Sequence, residues 1–232
     1  MHFGGNIMFD FLIFTAMFIL IIVFIWDHTK VPKKISKDLD LMRKDFIECI
    51  IKADEYLGKL KNGRYINTVA VIKLLCATQL RNEEQQYTSL QYIKPVLMKK
   101  RDISKYMGIL LRIFMAGNIR LITSVNMDFK NNKLSAEDKN TLALLNAISN
   151  FYLKGIVEFE RLRDCKFVKY SDYAALYYFL AMNEENEETM NIYLGQAKQY
   201  SVGIFMEPYV AALTEGKKYE FLPLCAIVKA DI

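Results

Sequence analysis

Residues 11–26 read FLIFTAMFILIIVFIW, sixteen consecutive positions without a charged side chain. With the four residues before it, the stretch covers 7–26. At about 1.5 Å per helical residue, this length matches a hydrocarbon core of about 30 Å. Asp10 then lies near one end of the span, where water or lipid headgroups solvate its carboxylate. The sequence therefore predicts one transmembrane helix, 7–26, preceded by a short tail, 1–6.

A cleaved secretory signal is the alternative interpretation of this stretch. Such a signal begins with basic residues and ends at small residues beside the cleavage site. Residues 1–7 contain no Lys or Arg, and the stretch ends in Ile25, Trp26 and Asp27. We therefore expect the segment to be retained as an anchor, with the Trp26 indole at the membrane interface.

The basic residues after the span indicate its orientation. Residues 27–34 form a juxtamembrane linker that carries Lys30, Lys33 and Lys34, whereas the tail before the span has no Lys or Arg. Lysines near a span tend to stay on the cytoplasmic side, and they also attract anionic lipid. We expect a single-pass protein with its N terminus outside and residues 35–232 in the cytoplasm. The reversed orientation would place those residues in a periplasmic, luminal or extracellular space.

Residues 35–232 are predicted to form one α-helical domain. The chain is 53% hydrophobic and contains only 10 Gly and 4 Pro in 232 residues, which is far from the composition of a disordered chain. Its helical periodicity and the lack of a series of alternating strands indicate an all-α fold. The Lys- and Asn-rich composition favours a bacterial source.

The cysteine and histidine content argues against metal, cofactor and enzyme chemistry. The four cysteines are widely spaced, with no C-x-x-C pair, and the two histidines flank the predicted span. No histidine is then available in the domain for a Ser-His or Cys-His pair, and no phosphate-binding loop or H-E-x-x-H motif occurs. We expect no metal, no cofactor and no catalytic residue. The cysteines, which we expect to be buried thiols, are Cys49, Cys76, Cys165 and Cys225.

Residues 35–60 carry apolar or small side chains at alternating steps of four and three, which predicts a strong helix. This heptad pattern permits a homo-oligomeric coiled coil beside the membrane. The stripe is widened by Ile47, Ile50, Ile51 and Leu57, and this width favours packing against the next helix of the same chain.

Further helices are predicted from helical spacing and from capping residues. Asn62-Gly63 marks a helix stop, Asn82 is an N-cap, and Pro95 kinks or splits the third helix. Asp102 or Ser104 is expected to cap a fourth helix, whose apolar stripe runs from Met107 to Val125. The remaining helices are a long one after Ser135, with a stripe that reaches 159, then 172–183, 187–201 and 207–215. The tail 219–232 is expected to form a short helix or an extended segment.

Residues 172–201 resemble a tetratricopeptide-repeat hairpin. The two short helices are DYAALYYFLAM and EETMNIYLGQAKQY, with Tyr173, Leu176 and Tyr193 at aromatic and apolar positions of the repeat. Four positions depart from the repeat's pattern: Tyr177, Thr189, Gln196 and Ser201. The resemblance implies an array of helical hairpins, an α-solenoid, that binds peptides or protein partners. The alternative is an irregular helical bundle with one similar hairpin.

The tyrosines of this hairpin are candidate partner-binding residues. Tyr173, Tyr177 and Tyr178 offer broad apolar faces with polar tips, a combination enriched at protein interfaces. The alternative is that they pack in the core between hairpins, because aromatic residues at helical spacing usually fill interiors.

A basic segment, 94–112, is the other distinctive feature. It contains six cations and one carboxylate, whereas the rest of the chain is neutral. We expect this surface to bind anionic lipid headgroups or an acidic protein, with nucleic acid less favoured. A solvated turn between helices is the alternative. The cations are Lys94, Lys99, Lys100, Arg101, Lys105 and Arg112.

Together these features predict a membrane-anchored helical scaffold or adaptor that binds a protein partner at the cytoplasmic face of a membrane. The alternative function is peripheral binding of anionic lipid or nucleic acid through segment 94–112.

Overall fold

The computed structural model describes residues 35, 37, 45–129 and 134–216. These residues contain nine α-helices, two short 3-10 helices and no strand, which confirms the predicted all-α class. The α-helices are α1 (Phe46–Lys59), α2 (Gly63–Gln79), α3 (Glu83–Tyr92), α4 (Lys100–Met115), α5 (Ile119–Ser124), α6 (Ala136–Lys154), α7 (Tyr170–Met182), α8 (Glu187–Ser201) and α9 (Glu207–Thr214). The 3-10 helices are Pro95–Leu97 and Glu160–Leu162.

Several predictions fall outside the described residues. These are the transmembrane helix 7–26, the linker 27–34 with Trp26 and its lysines, and the tail 219–232. None of the helices described between 35 and 216 is both long enough and apolar enough to cross a bilayer.

Side-chain N-caps begin most of the helices. A cap is needed because the first N–H groups of a helix have no carbonyl partner within it. In α3, for example, the Asn82 side-chain oxygen accepts a hydrogen bond from the Gln85 N–H at 3.1 Å, as the sequence predicted. The other side-chain caps are Asp45, Asn62, Asn118, Ser135 and Asn186.

The predicted helix 35–60 is interrupted at Asp45. Ile35 and Lys37 are helical, but Asp45 has extended backbone (φ −121°) and its carboxylate accepts hydrogen bonds from Ile47 N at 2.9 Å and Glu48 N at 3.0 Å. Local capping therefore starts a new helix where the apolar spacing alone predicted continuity. α1 packs against α2, the next helix of the chain, as the wide apolar stripe indicated.

Asn62-Gly63 has a different role from the predicted helix stop. α1 already ends at Lys59, and Asn62 caps α2 by accepting a hydrogen bond from Arg64 N at 3.0 Å. Pro95 acts as predicted, because α3 ends at Tyr92 and the proline opens a 3-10 turn.

The predicted start of the fourth helix is wrong by a few residues. α4 has Lys99 as its N-cap without a side-chain hydrogen bond, so Asp102 lies in the first turn and Ser104 lies inside the helix. α4 also ends early, because Gly117 takes a left-handed conformation (φ +67°) and Asn118 then caps α5. The apolar stripe predicted as one helix is therefore divided between two.

The stripe of the long α6 is also shorter than predicted. The helix ends at Gly155, which is left-handed (φ +67°), and Ile156 beyond it is 41% exposed. Phe159 still reaches the core, where its ring stacks on Phe179 at 4.7 Å between centroids. An apolar residue at the expected spacing is thus buried without belonging to the helix.

Two polar contacts hold α2 to its neighbours. The buried Lys73 ammonium donates to the Asp54 carboxylate at 2.6 Å and to the Thr88 hydroxyl at 3.2 Å, which links α1, α2 and α3. The Asn67 amide donates to the Lys94 carbonyl at 2.9 Å and accepts from the Lys94 N–H at 2.6 Å. These contacts position α2 beside the turn that precedes α4.

The helices α7 and α8 coincide with the predicted pair 172–183 and 187–201 within about two residues. They pack against each other as a hairpin across a four-residue turn, 183–186. The tetratricopeptide resemblance of this hairpin stays a prediction.

Candidate binding groove

An open groove of about 950 Å³ lies where four parts of the chain meet. Its lining comes from α2, from α4, from Lys169 and the first residues of α7, and from the turn 203–205 between α8 and α9. We call this feature the basic groove. Its size is within the range of ligand-binding clefts in proteins.

Three cations line the basic groove. Lys105 and Arg112 lie on α4, seven residues apart and therefore on the same face of the helix, and Lys169 immediately precedes α7. Lys105 is exposed, whereas the other two are half-buried. Asp102 adds a carboxylate to the same lining, so the cations outnumber it by three to one. The site is electrostatically suited to an anionic group.

Arg112 is positioned by an aromatic ring. The central carbon of its guanidinium group lies 4.8 Å from the centroid of the Phe205 ring, a cation–π contact. Burial lowers the pKa of Arg112, because the charged form is partly removed from water. Both side chains also line a second cavity of about 480 Å³. The pair therefore belongs to the lining of two cavities and supplies each with a partly desolvated cation.

Lys169 is positioned by main-chain contacts to α4. Its ammonium donates a hydrogen bond to the Ser104 carbonyl at 2.7 Å. A Cβ at Gly108 would lie 3.4 Å from that nitrogen, an ordinary van der Waals distance, so Lys169 lies directly over this part of α4. Lys169 was not predicted from the sequence, because it lies outside the basic segment and 65 residues from its hydrogen-bond partner. Nothing in its local sequence distinguishes it from a surface lysine.

The floor of the basic groove is apolar. Val71 and Ile109 are buried at 7% and 5% exposure, and Ile72, Leu75 and Ile204 are half-buried around them. Three strongly exposed apolar side chains lie at or next to the start of α7 or next to the turn 203–205. They are Val168 at 74%, Tyr170 at 68% and Val202 at 73% exposure. An apolar floor beside fixed cations suits a ligand that has both apolar and anionic groups.

The structure divides the predicted basic segment. Lys105 and Arg112 line the basic groove, whereas Lys99 lines a smaller cavity of about 220 Å³ that shares Asp102 with it. Lys94 is exposed and its main chain is held by Asn67, as described above. The side chains of Lys100 and Arg101 lie outside the described part of the structure.

The predicted tyrosine surface also separates into two parts. Tyr173 and Tyr177 are half-buried and stack on Tyr200 from α8, with ring centroids 4.8 and 6.0 Å away. Tyr178 points into the core, is 7% exposed, and packs against Phe179 and Tyr209. Tyr178 is therefore not on the surface, in line with the alternative that it is a core residue.

Among the described residues, no three His, Cys, Asp or Glu side chains come together in an arrangement that would hold a metal ion. The chemistry that the basic groove itself offers is recognition: ion pairing, cation–π contact and apolar burial. Comparison of the chain with protein families, with curated proteins and with solved structures gives no match.

Proposed function

We propose that this protein is a membrane-anchored helical scaffold that binds a segment of a protein partner in the basic groove and catalyses no reaction. The observation that carries the proposal is the groove itself, in which cations from two separate parts of the chain face an apolar floor. The apolar stretch 11–26 supports an anchor, and the lysines after it support a cytoplasmic position for the groove.

The resemblance of 172–201 to a tetratricopeptide hairpin supports the same class of function, since such hairpins generally bind peptides. Tyr170, at the start of this hairpin, lines the basic groove and contacts Tyr200 with 5.9 Å between ring centroids. The tyrosine surface and the groove are thus adjacent, and one partner segment is able to contact both.

Site-specific photocrosslinking in native membranes tests the proposal. A photoreactive amino acid at Thr68, an exposed position in the groove lining, is expected to capture one discrete protein. The same amino acid at Asn191, an exposed position on α8 outside the lining, is the control. Equal labelling from both positions, or no protein adduct from Thr68, would contradict a partner-binding groove.

The anchor is tested on the same protein. A chain that lacks residues 7–26 is expected to leave the membrane fraction, because the residues that supply the hydrophobic transfer energy are gone. If the shortened chain stays in the membrane after an alkaline carbonate wash, residues 7–26 are not the anchor.

A second candidate function is peripheral binding of anionic lipid. The exposed Val168, Tyr170 and Val202 favour it, because apolar side chains beside cations are typical of surfaces that insert into a bilayer interface. Flotation of the chain that lacks 7–26 with vesicles containing phosphatidylserine tests this function. Binding that persists without the anchor and disappears at high salt would support it.

A further inference from the structure

We propose that the occupant of the basic groove is an acidic amphipathic segment of the partner, with carboxylates directed at Lys105 and Arg112 and apolar side chains on the floor. This assignment rests on the proposed partner-binding function and specifies the chemistry of the partner. Charge complementarity and the shape of the groove support this assignment.

Two cations of the basic groove have no carboxylate partner among the described residues. Within the described residues, neither Lys105 nor Arg112 forms an ion pair with a carboxylate. Arg112 is half-buried and its guanidinium group contacts an aromatic ring, so it has lost part of its hydration, and no carboxylate of the described residues supplies a counter-charge. A carboxylate on a bound segment supplies that counter-charge. Arg112 also offers planar, two-pronged hydrogen bonding, which a carboxylate matches.

The spacing of the two cations along α4 fits a helical segment that carries two carboxylates. Lys105 and Arg112 are two helical turns apart on α4, which separates their Cα atoms by about 10 Å. A single small anion between these two flexible side chains satisfies the cations but leaves the apolar lining exposed to water. Two acidic residues about two turns apart on a bound helix match the spacing, and apolar side chains on another face of that helix then cover the floor.

The shape of the groove favours a protein segment over a bilayer. A flat membrane surface can contact the exposed Val168, Tyr170 and Val202, but the lining residues Val71 and Ile109 are too deeply buried for it to reach. A protruding segment fills the concavity and removes this apolar floor from water. The floor is therefore explained by a peptide and left unexplained by a lipid surface.

Binding of a designed peptide to the full-length chain in phosphatidylcholine nanodiscs tests the assignment. The probe is a fluorescent amphipathic helical peptide of about 18 residues with Glu on one face and Leu on the other. A scrambled peptide of the same composition is the comparison. We expect saturable binding of the amphipathic peptide, weakening steeply with salt, and at least about tenfold weaker binding of the scrambled one.

Two charge reversals provide matched variants. Lys105→Glu reverses an exposed cation in the groove, and Lys154→Glu reverses an exposed cation at the end of α6, so the net charge changes equally. We expect the first to raise the Kd about tenfold and the second to leave it within about twofold. Arg112→Gln is a further groove variant with an expected loss of similar size. Circular dichroism confirms that each variant is folded.

Equal effects of Lys105→Glu and Lys154→Glu, or equal binding of the amphipathic and scrambled peptides, would overturn the assignment. It is also overturned if phosphatidylserine in the nanodisc blocks the peptide and Lys105→Glu relieves the block, because the bilayer then occupies the groove. Crosslinking at Thr68 separates the two proposals. If the Lys105→Glu chain still captures a protein there at full yield, the partner-binding function stands and only its acidic chemistry fails.

Discussion

Removing the partner of the buried Lys73 is expected to destabilise the protein more than removing Lys73 itself. The Lys73 side chain is 3% exposed and its ammonium lies 2.6 Å from the Asp54 carboxylate, which is 49% exposed. Loss of one member of a fully buried pair costs about 3–5 kcal/mol. Because Asp54 is half-exposed and water can enter in its place, we expect about 2 kcal/mol for Asp54→Ala.

Lys73→Met is expected to cost less than about 1 kcal/mol, because the unbranched apolar side chain fills the same space and no buried charge remains. In Lys73→Met, the further change Asp54→Ala should have almost no effect. The matched surface pair is Lys52 and Glu55, whose charged atoms are 2.7 Å apart at 36% and 46% exposure. Glu55→Ala should therefore cost no more than about 0.5 kcal/mol.

Thermal unfolding of the full chain in nanodiscs, followed by circular dichroism, measures these differences. For a chain of this size, 2 kcal/mol corresponds to a fall in Tm of about 4–8 °C. The reasoning is refuted if Asp54→Ala lowers the Tm by the same amount in the wild type and in Lys73→Met. It is also refuted if Asp54→Ala and Glu55→Ala are equally mild, since burial of the cation would then contribute nothing.

Four further substitutions have expected outcomes. Asn67→Ala should lower the free energy of unfolding by about 2–3 kcal/mol, because both main-chain groups of Lys94 lose their hydrogen-bond partner. It should also speed hydrogen exchange of the Lys94 amide, and an unchanged exchange rate would contradict this. Gly155→Ala should cost about 1 kcal/mol of unfolding free energy in denaturant titrations, because its backbone is left-handed. Gly117→Ala should cost about twice that, because the Tyr152 ring also lies 3.2 Å from the new Cβ. Equal costs would show that the ring moves aside freely. Burial raises the pKa of Asp172 above its ordinary 3.8, so the carboxyl contributes stability in its protonated form that is lost as the pH rises through the folded pKa. The Tm of Asp172→Asn should therefore rise relative to wild type between pH 4 and pH 7, and a constant difference would argue against a raised pKa.

The helices were predictable because their signals are local. Asn82 and Ser135 cap helices where the sequence placed them, and Pro95 ends a helical stretch, because these effects depend on a few neighbouring residues. The errors occur where two local signals compete. At Asp45 and Gly155, a cap or a left-handed turn interrupts an apolar spacing that by itself indicates one continuous helix.

Only some of the residues that form the basic groove were predictable from the sequence. The basic segment predicted Lys105 and Arg112 as ligand-binding cations, but it also included Lys94, which does not line the basic groove. Lys169 and Phe205 come from distant parts of the chain, and only tertiary packing brings them to α4. Periodicity shows which side chains of a helix face inward, but it does not show where two packed helices leave a cavity between them.

α2 is surrounded by other elements, since α1, α3 and α4 all pack against it. Its buried positions include runs of neighbours, such as Val69 to Val71 and Cys76 to Thr78, and not a single stripe. A helix of this kind has few exposed positions at which a substitution leaves the packing unchanged. The part of the groove lining that α2 contributes is therefore constrained by packing on its other sides, whereas the exposed lining residues Lys105 and Tyr170 carry fewer such constraints. Changes of ligand specificity during evolution are then expected to arise at those exposed positions, while α2 keeps its sequence.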